Sequence, residues 1–226
     1  MKNVEKNSLS FRLKKTGVAA VLLSAVFGLS ALSSMEYNQP ESAVLKSDAS
    51  TILGGGSNSG INKDSLVSAR AFLGVYKVLM NPACMNCHPA GDIPLQGTDS
   101  HLHTMGVQRG VDGKGVTAMK CANCHQATNL PGPHMPPGNP NWHLPPADMK
   151  MVFQGKSPRQ LARQLLDPKL NGGKSKADLI KHAAEDQLVA GSWNHGEGKS
   201  VPPISHAEFA RLFKLWIDKG AYLPGK

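Results

Sequence analysis

The sequence predicts a mainly α domain interrupted by an extensive Gly/Pro-rich loop, standing behind an N-terminal signal or anchor and a flexible tether. Three observations carry this expectation. Apolar residues recur at helical spacing after residue 64 and again near the C-terminus. Between those stretches, glycines and prolines crowd residues 89 to 146 and leave little room for regular structure. Finally, one short pattern occurs twice, as Cys84-Met-Asn-Cys87-His88 and as Cys121-Ala-Asn-Cys124-His125.

Each repeat is a C-x-x-C-H pentapeptide, the attachment signature of c-type haem. Two thiols at this spacing can form thioethers with the two vinyl groups on one porphyrin edge, and the next residue then meets the iron. Two covalently bound haem c groups are therefore expected, with thioethers at Cys84, Cys87, Cys121 and Cys124. His88 and His125 become the proximal iron ligands. Two Cys pairs can instead supply one tetrahedral zinc, but zinc ribbons separate their pairs by about 15 to 20 residues. The gap from 88 to 120 is longer, and zinc gives no reason for a His after both pairs. A thioredoxin-like motif needs a βαβ surround, and none is visible. The chain has four Cys and the motifs use all of them, so none is left for a disulfide. The fold class that follows is a cytochrome c-like di-haem domain over residues 64–226.

Residues 1–33 precede it as a signal peptide or N-terminal anchor. Lys2, Lys6, Arg12, Lys14 and Lys15 face a single acid, Glu5, and the apolar run from Gly17 to Leu32 follows. That run is shorter than the roughly 20 residues of a spanning helix. Ala31-Leu-Ser33 offers a small-x-small cleavage site, so cleavage is the first reading and an uncleaved membrane anchor the second. Either places the domain in the periplasm, where bacteria attach haem c. Residues 34–63, with Gly and Ser clustered at 54 to 60, read as a flexible tether.

From Asp64, the residues Leu66, Val67, Ala69, Phe72, Leu73, Tyr76, Val78 and Leu79 predict a helix to about residue 80, ended by Asn81-Pro82. It leads directly into the first motif, and its apolar face is expected to pack on the first haem. Residues 89 to 120 are Gly-rich loop with short strand pieces. His101 and His103 lie there as candidate distal ligands, because c-type haem iron normally takes a second axial His or Met. They stand at i and i+2, so only one can reach a given iron, and His103 is preferred. Residues 126 to 146 contain seven prolines, which exclude a regular helix. This stiff loop adds His134, Met135 and His143, while Trp142 can cover a porphyrin face. Met135 stands several tens of residues after His88, which suits the first haem, or it fills a gap in the core. His103 and His143 are the leading distal candidates, with Met135, His101 and His134 behind them.

Ser157-Pro158-Arg-Gln160 is a capping-box start for a helix to about Leu166, stopped by Asp167-Pro168. A second short helix is expected from Ser175 to Glu185. Ser205-His-Ala-Glu208 reads as a full capping box, after which Phe209, Leu212, Phe213, Trp216 and Ile217 form one apolar face. His182, His195 and His206 are expected at the surface or at caps.

Only 40% of the chain is hydrophobic, and it holds 23 Gly and 16 Pro among 226 residues. The protein core is therefore thin, and two porphyrins would supply the missing apolar volume. The formal charge is +9, and removing a segment with five bases and one acid leaves +5. Four ionised propionates would bring that to about +1, so the basic balance is no argument for nucleic acid.

The two C-x-x-C-H motifs place the chain among sequences that resemble di-haem c-type cytochromes. More loosely, Val107-Gln-Arg-Gly110, Asp112-Gly-Lys-Gly115, Trp142-His143-Leu-Pro-Pro146 and Asn171-Gly-Gly173 resemble small exported proteins labelled as subunits of isoquinoline 1-oxidoreductase-type molybdenum hydroxylases. That similarity spans most of residues 80 to 220. It implies redox protein partners: an electron-donor dehydrogenase carrying molybdenum and iron-sulfur centres, and a respiratory acceptor. No catalytic residue is assigned, because the chain has no molybdopterin site or iron-sulfur ligand set. The rival reading is a di-haem enzyme such as a peroxidase with one open iron. Enzymes of that kind separate their motifs across two domains, whereas here the motifs begin 37 residues apart.

Overall fold

A computed structural model of the chain describes residues 62–225. The residues read as signal or anchor, and nearly all of those read as tether, lie outside the described residues; Asn62 caps the first helix and Lys63 begins it. The Asn62 side chain accepts from the Asp64 amide at 3.0 Å and opens α1, Lys63–Leu79. Ser68, Ala71, Phe72, Val75, Val78 and Leu79 fall at helical spacing and form its buried face. The helix stops at Met80. Asn81 then caps a four-residue helix, α2 (Pro82–Met85), by accepting from the Ala83 amide at 2.9 Å, with Pro82 at its first position. The first C-x-x-C-H motif begins inside this short turn.

Two capping boxes build the next framework helices. In α3, Pro158–Leu166, Ser157 Oγ accepts from the Gln160 amide and Gln160 Oε1 accepts from the Ser157 amide. Ser175 and Asp178 repeat the arrangement at α4, Lys176–Glu185. Asp186 immediately caps α5, Gln187–Gly191, a short helix that periodicity does not reveal. In α6, His206–Asp218, only half of the expected box forms: Ser205 Oγ accepts from the Glu208 amide at 3.2 Å. The Glu208 carboxylate instead makes two 2.7 Å bonds to the Arg211 guanidinium, a charge-assisted pair stronger than a neutral amide contact.

The core lies between α1, α3, α4 and α6, with Phe153 added from the preceding loop. The expectation that α1 packs on the first haem site is corrected here. Its stripe packs on α6, where the Phe72 and Trp216 rings sit 4.5 Å apart and Ser68 Oγ donates to the Trp216 carbonyl at 2.8 Å. Trp216, Phe213 and Phe209 form an aromatic row large enough to cover that face. Only Leu79, at the end of α1, reaches the cavity beside the first motif.

Residues 89 to 150 are an excursion that leaves and returns at one point. The His88 carbonyl accepts from the amides of Phe153 (2.9 Å) and Gln154 (3.3 Å), and Gln154 Oε1 accepts from the Ala90 amide. Within the excursion are two very short antiparallel ladders. β1 (Leu95–Gln96) pairs Leu95 with Leu102 of β2 (His101–Leu102), and β3 (Gly115–Val116) pairs Gly115 with Lys120 of β4 (Met119–Lys120). Of the Leu, Ile, Val, Met and Trp side chains here, only Leu95 and Leu144 are buried.

Polar contacts hold the excursion in place of a core. The Arg109 amide donates to the Asp92 carbonyl at 2.7 Å, and the Leu144 amide donates to the Gly113 carbonyl at 2.9 Å. Gly113 has φ +76°, and a Cβ there would run into the Leu144 carbonyl, so this crossing requires glycine. The described residues are 37% helical and 5% strand, which makes the fold mainly α. Among them, no helix is long and apolar enough to cross a membrane.

Candidate functional site

The two motif histidines are held in the same way by unrelated stretches of chain. His88 Nδ1 lies 2.7 Å from the Met151 carbonyl, and its ring stacks on Phe153 with centroids 3.8 Å apart and planes 8° apart. His125 Nδ1 lies 2.7 Å from the Pro137 carbonyl, and its ring stacks on Trp142 at 4.0 Å and 10°. A carbonyl can only accept, so each Nδ1 carries the proton and each Nε2 is the free nitrogen. This is how a metal-ligating His is usually oriented.

Local backbone makes both contacts available. Met151 adopts φ +47°, a conformation that non-glycine residues rarely take, at the residue whose carbonyl meets the His88 ring. At the second site the loop closes behind Pro137, where the Gly138 amide donates to Asn129 Oδ1 at 2.7 Å. A Cβ on Gly138 would collide with the Thr128 carbonyl, so glycine is required for that closure.

The four thiols are unpaired and divide between two cavities with the two histidines. Cys84, Cys87 and His88 line a cavity of about 270 Å³ closed by Phe209, Phe213 and the inner face of α4. Cys121, Cys124 and His125 line a wider one of about 960 Å³, with His103 and Met135. Ala83, Cys87, Trp142 and His195 line both, so the two sites share a wall.

Burial pushes the Cys84 thiol up to about 12, against a hydrogen bond from Ser192. Cys87 is pushed up to about 11, first by burial and then by the charge of Cys121, against the Arg109 cation. Nothing here prepares these thiols as the low-pKa nucleophiles of a redox C-x-x-C. His88 is pulled down to about 4 by burial, which outweighs the Met151 carbonyl, with the charges of His182 and Arg109 adding to the effect. Burial likewise lowers His125, against the Pro137 carbonyl and with the charge of His103. Both imidazoles are thus neutral at pH 7, the form that ligates metal.

Arg109 is the one fully buried cation described in the excursion. Its Nη atoms donate to the Pro145 carbonyl at 2.6 Å and the Gly91 carbonyl at 3.1 Å, and Nε lies 3.4 Å from Asp92. Asp92 also pairs with Lys150 at 2.9 Å. Among the described residues, no three His, Cys, Asp or Glu side chains converge as a metal site of protein ligands alone. Each motif instead offers two thiols and one imidazole to a cavity.

The other candidates distribute unevenly. His103 and His134 line the second cavity. Met135 joins them there rather than at the first site, because the Pro-rich loop keeps it beside His125. His143 follows the second motif in sequence yet lines the first cavity, its Nδ1 bonded to the Asn141 carbonyl. His101 lines neither cavity; it is exposed on β2 with Nδ1 2.7 Å from Asp99.

Of the histidines expected at the surface or at caps, two also line a cavity. His195 forms part of the shared wall, and burial, with the charges of His125 and Lys199, pulls it down to about 4. His182 is exposed, as expected, and also lines the first cavity from α4. Its signal is legible: Leu179, His182, Ala183 and Asp186 recur at helical spacing on one stripe. His195 lies in an irregular segment and has no such signal. His206, at the start of α6, does behave as a local residue, its Nε2 bonded to the Ala183 carbonyl at 2.8 Å. No family model, no curated protein and no solved structure matches the chain.

Proposed function

We propose that the chain is a periplasmic di-haem c-type cytochrome that relays electrons from a dehydrogenase to the respiratory chain. The observation that carries this reading is the duplication of a whole site rather than of a motif. Both C-x-x-C-H histidines have Nδ1 on a backbone carbonyl, a face on an aromatic ring and a free Nε2 beside two unpaired thiols. These residues fit a haem at each motif. The haem, when bound, supplies one-electron chemistry at its iron.

The chain's own contribution is to hold and orient. The cysteines anchor, and the Met151 and Pro137 carbonyls fix each ring and increase the basicity of its Nε2. Phe153 and Trp142 prevent the rings from turning. Arg109 adds a buried positive charge felt at Cys87 and His88, which favours the reduced state there. The shared wall of Ala83, Cys87, Trp142 and His195 supports a short path between the sites. A molybdenum hydroxylase is the donor implied by the resemblance of residues 80 to 220.

The test is to express the full chain in a host that matures c-type cytochromes and to count covalent haem. Low-temperature EPR of the oxidised protein is expected to give two low-spin signals. A resting high-spin iron that binds peroxide would replace the relay by a peroxidase-type enzyme, and an absence of attached haem would end both readings.

A further inference from the structure

Resting on the di-haem reading, we infer that His182 is the distal ligand of the first haem and that Asp186 is its positioning residue. His182 belongs to the α4 stripe Leu179, His182, Ala183 and Asp186, all four of which line the cavity of Cys84, Cys87 and His88. Leu179 and Ala183 are buried and fix that stripe against the core. His182 is therefore directed by a packed helix, whereas His143 and His195 reach the same cavity from irregular segments.

A charged contact points the same way. His182 Nδ1 lies 3.2 Å from the Asp186 carboxylate, one helical turn on. With Nδ1 committed to a carboxylate, Nε2 is the nitrogen offered to the cavity. This repeats the arrangement at His88 and His125, with a carboxylate in place of a carbonyl. His143 has a bonded Nδ1 too, but its partner is the Asn141 carbonyl in its own loop. His195 makes no ion pair among those described. His88 and His182 line the same cavity, each from its own stretch of chain.

Two imidazoles on one iron give a low-spin centre closed to added ligands, while one imidazole leaves it open. The full-length protein with its haem attached is compared with His182→Gly, Asp186→Asn, His143→Gly and His195→Gly by haem count, EPR and carbon monoxide binding. His182→Gly is expected to keep both haems, lose one of two low-spin signals and bind carbon monoxide at half of its haem. Added imidazole is expected to restore the lost signal. Asp186→Asn is expected to keep both low-spin signals with shifted g-values and a higher potential for one haem. Should His182→Gly fail to accumulate, His182→Met still gives a result, because a sulfur ligand raises the potential of one haem.

Unchanged spectra in His182→Gly, unchanged potentials in His182→Met, or loss of the signal in His143→Gly or His195→Gly instead, overturn the assignment and leave the di-haem reading standing. A wild-type chain without covalent haem overturns both.

Discussion

His88 and His125 are held alike, yet they stand in unlike regions. His88 borders the helical framework, where Phe72, Val75, Val78, Leu161, Ala162 and Trp216 are fully buried by protein alone. His125 lies inside the excursion, where Leu95 and Leu144 are isolated buried residues and Cys124, Met135 and Val116 are exposed. The first region has a reason to fold without a cofactor. The second has turns, hydrogen bonds and one buried arginine, and on the di-haem reading it gains its apolar centre only when haem is attached. A thin core is thus not a property of the whole chain but of one half of it.

Removing the second attachment should separate the halves most strongly. Cys121→Ala with Cys124→Ala is expected to reduce amide protection across residues 111 to 144 by orders of magnitude, while α3, α4 and α6 keep theirs. Hydrogen exchange resolved by peptide checks this. Full protection of the loop without these two thiols would break the comparison.

Phe72→Ala probes the other half. The ring is fully buried against Trp216, so the loss should be about 3–5 kcal/mol in urea unfolding. The loss should be the same with or without the second attachment.

Arg109→Met comes next. It leaves the Pro145 and Gly91 carbonyls without their donor, at a cost of about 1–3 kcal/mol, confined to the excursion. On the di-haem reading, redox titration should also show a lowered potential at the Cys84–His88 site, because a nearby buried cation is gone.

The smallest effect concerns Asp92, whose carboxyl is held below its usual value chiefly by a hydrogen bond from Lys150, with Arg109 assisting. A lowered folded pKa gives stability that is present above the ordinary value of 3.8 and is lost as pH falls through the folded one. Acid unfolding below pH 3.8 should therefore be slightly shallower in Asp92→Asn, as measured by denaturant midpoints across pH.

What could be read from the sequence was local. Ser157 with Gln160 and Ser175 with Asp178 announce helices because both partners lie within four residues. Asn81-Pro82 stops α1 for the same reason. The motifs bring two thiols and a ring together by themselves, since all three lie within five residues. Glu208 misled because Arg211, one turn on, competes for its carboxylate. The cavity neighbours were harder. The sequence distance of Met135 from His88 suits the first site or a gap in the core, whereas the Pro-rich loop brings it to the second cavity. His182 is exposed as a surface residue is, and helical spacing shows its stripe but not that distant segments complete a cavity over it. Phe153 and Met151, which hold His88, carry no motif at all.

The clasp at His88 bears on how the chain is assembled. Its carbonyl receives the Phe153 and Gln154 amides while its ring meets Met151, so residues 89 to 150 form a closed ring of chain rather than a dangling insert. Closing such a long ring costs entropy before any contact inside it can form. The helices, rich in nearby contacts, are the elements that form early. An order of maturation follows: framework first, clasp second, and the inner Cys121–His125 site last, within a ring already tied at its neck.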